Sequence, residues 1–212
     1  MHKLHRGEPP TCLRGYRHGL NNWSEVSQFD KNSIWDELLA MQGDRCAYCE
    51  ARIAPDRRHI EHFRQKGRDP TVTFVWSNLF GSCNRSCSCG RHKDCAEPYA
   101  PADLIKPDEE DPEDYLLFSP DGTVSPKNGL SDKSDHRAAE TIRLFNLNGP
   151  LRQIRFTELV GYKQTAEYFA ELSHQFSEDE WLPLLQEELQ ATAQLPFSTA
   201  IKHMMTPQSP GR

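Results

Sequence analysis

The sequence has no long apolar run and no recognisable export signal. None of its 212 residues belongs to a run of the roughly 18 apolar side chains that a membrane helix requires. Its first residues, MHKLHRGEPPTC, also have no apolar segment like the centre of a signal peptide. We therefore expect a cytoplasmic protein that has no membrane partner.

Apolar residues are scarce and prolines are frequent. Hydrophobic residues make up 36% of the chain and charged residues 26%, and there are 15 prolines. This balance is typical of a protein with a modest core and much irregular chain. A length of 212 residues suffices for one compact protein with two subregions.

Disulfides are not expected, although the sequence contains seven cysteines. Thiols stay reduced in the cytoplasm and the count is odd, so these cysteines favour a metal site. Cys46 and Cys49 have the spacing of one half of a tetrahedral zinc site, because two thiolates on a tight turn can bind one ion. A second cluster of Cys83, Cys87 and Cys89 follows 34 to 40 residues later, and any two of these three complete the site by spacing alone.

Positive charge is scarce in most of the chain, whose formal net charge is −6. Between residues 44 and 94, however, ten Lys and Arg outnumber six Asp and Glu, which gives +4 there and leaves −10 for the remainder. A basic cysteine-rich module in an acidic protein fits contact with a polyanion such as nucleic acid. A surface with unevenly spread charge explains the same counts equally well.

Local patterns divide the chain into four parts. Residues 1–32, with scattered Gly and Pro, predict an extended arm that is either a partner-docking segment or a poorly ordered terminus. Residues 33–95 form the cysteine-rich module, and residues 96–133 an acidic loop region with a hairpin or a long surface loop around Asp121-Gly122. Residues 134–212 have apolar side chains at i, i+3, i+4 spacing, which predicts a helical region.

Within the cysteine-rich module, the sequence predicts two short strands and two helical segments. SIWDELLAMQ (33–42) has helical apolar spacing, with Ser33 as its cap. Strands are predicted for RHIEHF (58–63) and within KGRDPTVTFVW (66–76). NLFGSCNRSCSCGRHKD (78–94) predicts a helix that only a bound metal would stabilise, because its small residues and cysteines have little helix preference.

The segment HIEH, residues 59–62, suggests more than a structural metal site. In a strand, His59 and Glu61 share one face while His62 points to the other. A carboxylate beside an imidazole suits hydrolysis in which the carboxylate binds a cation such as Mg²⁺ and a histidine takes a proton from water. Either histidine alone is more typical of a structural or surface position.

Four motifs in this order resemble the HNH nuclease family: CAYC, IEHFRQK, WSNLFGSC and CGRHKD, which together span residues 45–94. The resemblance implies an α+β fold, in which a zinc-stapled ββα-metal finger is embedded in a mostly α-helical protein. It implies that His62 is the general base, that Glu61 binds a catalytic Mg²⁺ or Mn²⁺, and that the Asn78 side chain braces the loop. It also selects Cys83 and Cys89 to complete a structural zinc site with Cys46 and Cys49.

One position departs from the HNH pattern. The final metal-binding Asn or His is expected directly after the last cysteine, where this sequence has Gly90. The resemblance leaves His92 as the nearest substitute, with Asn84 as the next. Four basic residues are expected to hold the phosphate backbone, or else to form a solvated basic face: Arg58, Arg64, Lys66 and Lys93.

A narrower resemblance extends over nearly the whole chain. The segments MHKLHRGEPP, DYLLFSPDGTV and TIRLFNLN are similar to the HNH proteins of Septu and retron-associated antiviral systems, the PtuB family. That resemblance implies a nucleic-acid substrate, an ABC-type ATPase partner (PtuA-like) and, in retron versions, a reverse transcriptase with its RNA-DNA product. The alternatives are a non-catalytic zinc module that binds nucleic acid or protein, and an adaptor that only recruits an ATPase.

Overall fold

Residues 1–206 of the chain are described by a computed structural model, in which seven α-helices and two antiparallel two-stranded sheets form an α+β fold. Among these residues no helix is both long and apolar enough to cross a membrane. The helices and strands, in chain order, are α1 (Gln28–Gln42), β1 (Arg58–His62), β2 (Leu79–Cys83), α2 (Cys89–Cys95), β3 (Leu116–Phe118), β4 (Val124–Pro126), α3 (Asp132–Leu144), α4 (Pro150–Val160), α5 (Lys163–Gln175), α6 (Glu178–Thr192) and α7 (Ser198–Met205).

Helix α1 begins six residues earlier than its apolar spacing predicts. Its cap is Ser27 rather than Ser33, because the Ser27 hydroxyl accepts a hydrogen bond from the Asp30 amide at 3.0 Å. The Asp30 carboxylate in turn accepts hydrogen bonds from the Ser27 and Tyr16 hydroxyls. The predicted end is confirmed, since the chain turns at Gly43 with a φ of 65°, a conformation that favours glycine.

The second strand of the cysteine-rich module is not in residues 66–76, where we predict it. It is β2, and it pairs with β1 so that Glu61 lies opposite Phe80 and His62 opposite Leu79. Two short 3₁₀ turns, Pro70–Val72 and Trp76–Asn78, occupy the predicted strand instead. The segment 78–94, predicted to be helical, is divided between β2 and the short helix α2.

Gln42 fixes the end of α1 against β2. Its buried side-chain amide accepts a hydrogen bond from the Gly81 amide at 2.9 Å and donates one to the Gly81 carbonyl oxygen at 2.8 Å. A Cβ at Gly81 would lie 2.7 Å from Gln42 Nε2 and 2.8 Å from the Trp35 ring. Glycine is therefore required in this strand because a helix side chain lies directly against the strand backbone.

The N-terminal arm lies along the rest of the chain. Met1 and Leu4 are buried, and the Leu4 amide donates a hydrogen bond to the Pro107 carbonyl oxygen. Arg6 donates hydrogen bonds to the Trp76 carbonyl oxygen and forms an ion pair with Asp108 at 2.6 Å. The start of the arm is thus part of the core. Docking of a partner on the arm stays a prediction.

The C-terminal part is helical from α3 to the end of α7, as predicted, and it is joined to the cysteine-rich module. The last six residues of the predicted helical region, 207–212, lie outside the described residues. The first turn of α7 meets Glu50, whose carboxylate accepts a hydrogen bond from the Thr199 amide at 3.0 Å. Arg45 donates to the Ala193 carbonyl oxygen and to the Ser198 hydroxyl. The hairpin predicted around Asp121-Gly122 is confirmed as β3 and β4.

Replacing Gly81 with alanine is expected to lower the free energy of unfolding by about 1–3 kcal/mol, because the added methyl group overpacks the contact with Gln42 and Trp35. Urea denaturation measures the change. Gly15→Ala is the matched control, since nothing lies within 4 Å of the position that its Cβ would take. Equal stability of the two variants would contradict the close approach of α1 to β2.

Candidate metal centre and active site

Four cysteine side chains meet in the interior of the cysteine-rich module. The Sγ atoms of Cys46, Cys49, Cys83 and Cys89 all lie within 4.8 Å of one another, and all four residues are buried. They come from the turn after α1, the last residue of β2 and the first residue of α2. Cys87, the alternative that spacing leaves open, is exposed and outside the cluster.

This cluster has the donor set of a structural zinc site. Tetrahedral Zn²⁺ with bonds of about 2.3 Å places its sulfur ligands about 3.8 Å apart, and the four thiols are close to that spacing. Although burial opposes ionisation, hydrogen bonds with the other three thiols lower the pKa of the Cys46 thiol well below its ordinary value, whereas the pKa values of the Cys49 and Cys89 thiols are raised well above theirs. The residues present therefore fit a metal such as zinc.

Glu61 is a buried carboxylate held from two sides. Oε1 forms an ion pair with the Lys93 ammonium at 2.8 Å, and the other oxygen accepts a hydrogen bond from the Tyr48 hydroxyl. Burial raises the pKa of Glu61, and the charge of Lys93 opposes that rise. The carboxylate is therefore fixed between the CAYC turn and α2.

His62 faces the opposite side of β1 from Glu61, as strand alternation predicts. Its Nε2 donates a hydrogen bond to the Thr73 carbonyl oxygen at 3.0 Å, which leaves Nδ1 as the basic nitrogen. The Trp23 ring packs edge-on against the imidazole, with centroids 4.5 Å apart. Burial, assisted by the charge of Lys66, lowers the pKa of His62 to about 3.

Asn78 joins both ends of the loop that follows β1. Its Oδ1 accepts a hydrogen bond from the Arg64 amide at 2.7 Å, and its Nδ2 donates to the carbonyl oxygens of Arg64 and Val72. These contacts are those of a side chain that braces a loop. The backbone carbonyl oxygen of Asn78 also accepts a hydrogen bond from the Phe63 amide.

His92, the expected substitute for a ligand at position 90, is oriented toward the C-terminal part of the chain. Its Nδ1 lies 2.9 Å from the Leu144 carbonyl oxygen, so this nitrogen carries the proton. Only Nε2 is then left to accept a bond. Asn84, the next substitute, donates through Nδ2 to the Asp56 carbonyl oxygen at 3.4 Å.

The four basic residues predicted to hold phosphate differ in their surroundings. Lys66 is exposed, and Arg64 is half exposed beside Asp69. The Arg58 guanidinium lies over the Trp35 ring, 4.1 Å from its centroid. Lys93 is fully buried, contrary to the surface position that phosphate contact requires, because it is the ion-pair partner of Glu61.

A surface cavity of about 630 Å³ opens beside Lys66. Its walls come from the loop after β1 and from the N-terminal arm, and Trp23 and Thr73, which both contact His62, are among its lining residues. Such a space has room for one nucleotide of a bound strand. The arm therefore borders the candidate active site.

Sequence reasoning misses Tyr48, Trp23 and Thr73. Tyr48 lies between the first two cysteines, where the motif assigns no chemistry, yet it contacts Glu61 and stacks on Phe145 at 4.0 Å. Trp23 and Thr73 contact His62 from segments that are 39 and 11 residues away in the sequence. The local sequence carries no signal for any of these three contacts.

Comparisons with known proteins find similarity to a retron protein and to a Septu protein. It is 28% identical over 131 residues to a candidate HNH endonuclease of retron Vc95 from Vibrio cholerae, a match that spans 58% of this chain and 62% of the relative. It is 27% identical over 157 residues to the Septu protein PtuB of Bacillus thuringiensis, spanning 69% of this chain and 56% of the relative. The matches thus cover less than two thirds of either relative. No family model matches the chain.

Cys89→Ser is expected to lose bound zinc, whereas Cys87→Ser is expected to keep one zinc per chain, because only Cys89 lies in the four-thiol cluster. Inductively coupled plasma mass spectrometry of the purified variants measures the metal. A zinc-free Cys87→Ser protein, or a fully loaded Cys89→Ser protein, would show that a different set of thiols binds the ion.

Trp23→Ala is expected to raise the pKa of His62 from about 3 toward 6.5, because it exposes an imidazole whose charged form is disfavoured by burial. The His62 ring proton, followed by NMR across pH 3 to 8, reports this pKa. Leu20→Ala is the control, since Leu20 is 76% exposed in the same segment. A wild-type His62 that titrates near 6.5 would contradict the packing of Trp23.

Proposed function

We propose that this protein is a metal-dependent HNH endonuclease that hydrolyses phosphodiester bonds of nucleic acid. The observation that carries the proposal is the placement of Glu61 and His62 at consecutive positions of β1, in a strand-strand-helix arrangement framed by four thiols. One relative is named as a candidate HNH endonuclease of a retron and the other as a Septu protein, and both names support the proposal. In this proposal the four thiols bind a structural zinc, and chemistry takes place at β1.

His62 is the general base of the proposed reaction. The Thr73 carbonyl fixes the ring by accepting from Nε2, and Nδ1 then takes a proton from the water that attacks phosphorus. Its lowered pKa keeps the imidazole unprotonated at neutral pH. Asn78 keeps the loop carrying Thr73 in place through its bonds to Arg64 and Val72.

Glu61 is the residue of this site that suits a hard cation. Mg²⁺ or Mn²⁺ bound there would supply Lewis-acid stabilisation of the negative charge on the phosphate and the leaving oxygen. Each carboxylate oxygen has a second lone pair beyond the one used by Tyr48 or Lys93. Lys66 and Arg64 would hold the strand through its phosphates, while Lys93 holds Glu61.

We further propose that the nuclease acts in an antiviral complex in the cytoplasm. One relative is named as a Septu protein and the other as part of a retron. The resemblance to Septu proteins implies an ABC-type, PtuA-like ATPase as partner, and a retron setting adds a reverse transcriptase with its RNA-DNA product. The ATPase would then control access of nucleic acid to His62, which is only 5% exposed in this chain.

A non-catalytic zinc module is the second candidate function. It is favoured by the closed surroundings of the site, because Trp23 covers His62 and both oxygens of Glu61 already have a partner. Such a module would bind nucleic acid or a protein through its exposed basic residues and cleave nothing. A related candidate is an adaptor that only recruits an ATPase and binds no nucleic acid.

The nuclease is tested by incubating the protein with plasmid DNA or a structured RNA, in Mg²⁺ or in Mn²⁺, with the ATPase partner present. We expect cleavage by the wild type and a loss of about 100-fold or more in His62→Ala, because the base is removed while the zinc cluster is untouched.

His174→Ala is the matched control, because it removes an exposed histidine on α5. Zinc content and complex formation are measured for every variant. If the wild type, zinc-loaded and in complex, cleaves neither substrate, the non-catalytic module is the better reading.

A further inference from the structure

His59 is a histidine to which the proposed function assigns no role, and its ring nitrogens have no partner. Both Nδ1 and Nε2 are enclosed, and within residues 1–206 neither forms a hydrogen bond. A buried polar group without a partner is unfavourable, so such an atom calls for a ligand. In the same strand, His62 Nε2 has the Thr73 carbonyl oxygen as its partner, whereas neither ring nitrogen of His59 has one.

His59 and Glu61 converge on one point beside Gly90. The two residues alternate on one face of β1, and that face packs against the start of α2. A Cβ on Gly90 would lie 3.2 Å from His59 Nε2 and 3.0 Å from Glu61 Cδ, and it would overlap Glu61 Cγ. His59 Nε2 and the carboxyl carbon of Glu61 thus border the same small volume, and the two Glu61 oxygens contact Lys93 and Tyr48.

The glycine at position 90 is therefore a steric requirement of this arrangement. Any side chain there would displace Glu61, so no ligand can come from this position of α2. His92, two residues later, already uses Nδ1 on the Leu144 carbonyl oxygen. The only histidine nitrogens next to Glu61 that are enclosed and uncommitted in the described chain belong to His59.

We propose that His59 binds the catalytic divalent cation through Nε2, together with Glu61, in place of a ligand from α2. The assignment rests on the proposed function for the role of the cation, while cation binding itself can be measured without any substrate. Water and substrate phosphate would complete the coordination, as is usual for cations held by one or two side chains.

A nitrogen ligand has a consequence for metal preference. Carboxylate and water suit Mg²⁺, whereas an imidazole adds affinity for transition ions. The Lys93 ammonium, 2.8 Å from Glu61 Oε1, competes for the carboxylate and lowers the affinity for any cation. We therefore expect Mn²⁺ to bind more tightly than Mg²⁺. We also expect cation binding to require both His59 and Glu61.

The test measures Mn²⁺ binding to the full, zinc-loaded protein by calorimetry and by pulsed electron paramagnetic resonance. The zinc cluster contains only sulfur, so ¹⁴N modulation from a bound Mn²⁺ reports an imidazole ligand. We expect this modulation in the wild type, its loss in His59→Ala and His59→Phe, and at least a tenfold weaker affinity in both variants. His59→Phe fills the same space, so a folded, zinc-loaded variant is available if alanine destabilises the strand.

His92→Ala and His174→Ala are the comparison variants, and both are expected to keep the modulation and the affinity. Wild-type protein that binds Mn²⁺ without ¹⁴N modulation would overturn the assignment, and so would a signal lost in His92→Ala but kept in the His59 variants. If the His59-dependent signal is present but no nucleic acid is cleaved, the nuclease proposal fails and the metal site stands. If cleavage occurs without the signal, the metal-site assignment fails and the nuclease proposal stands.

Discussion

The four buried thiols are the constraint on which the rest of this structure depends. They join the turn after α1, the end of β2 and the start of α2, three segments with little regular structure of their own. Structural zinc sites in finger peptides bind with about 10–16 kcal/mol, which is comparable to the whole stability of a typical domain. A metal in this cluster would therefore decide whether β1, β2 and α2 assemble at all.

The buried ion pair of Lys93 and Glu61 makes a second, independent connection between α2 and β1. The Lys93 ammonium also donates to the His62 carbonyl oxygen at 3.0 Å, to Asp94 at 3.0 Å and to the Tyr99 hydroxyl at 3.1 Å. Burying an ammonium costs several kcal/mol, and only such a full set of partners offsets that cost. The orientation of Glu61 is thus set by the scaffold before any cation binds.

The cysteine pattern predicted the metal cluster well, because ligand spacing is a local property of the chain. The resemblance selected Cys89 over Cys87, and the structure agrees since only Cys89 points inward. The helical C-terminal part was also predictable from its apolar spacing.

The predictions that differ from the structure depend on contacts between distant segments. The strand expected in residues 66–76 is interrupted by Pro70, and the true strand at β2 contains Gly81 and Cys83, which have little strand preference but fit against Gln42 and the thiol cluster. Lys93 was expected at the surface because lysine usually is. Its burial follows from Glu61, 32 residues earlier, and a single sequence carries no sign of that pairing.

The surroundings of His62 connect the N-terminal arm to the chemistry. Trp23 covers the imidazole and also packs against Phe74, with ring centroids 6.1 Å apart, and Tyr16 stacks on the same Phe74 ring at 5.5 Å. A water that gives its proton to Nδ1 needs room beside this ring, which is 5% exposed. If His62 is the base, the segment around Trp23 has to shift when substrate binds. The scaffold that carries Glu61 and His62 is fixed separately from this segment, by the thiol cluster and by the ion pair of Lys93 with Glu61.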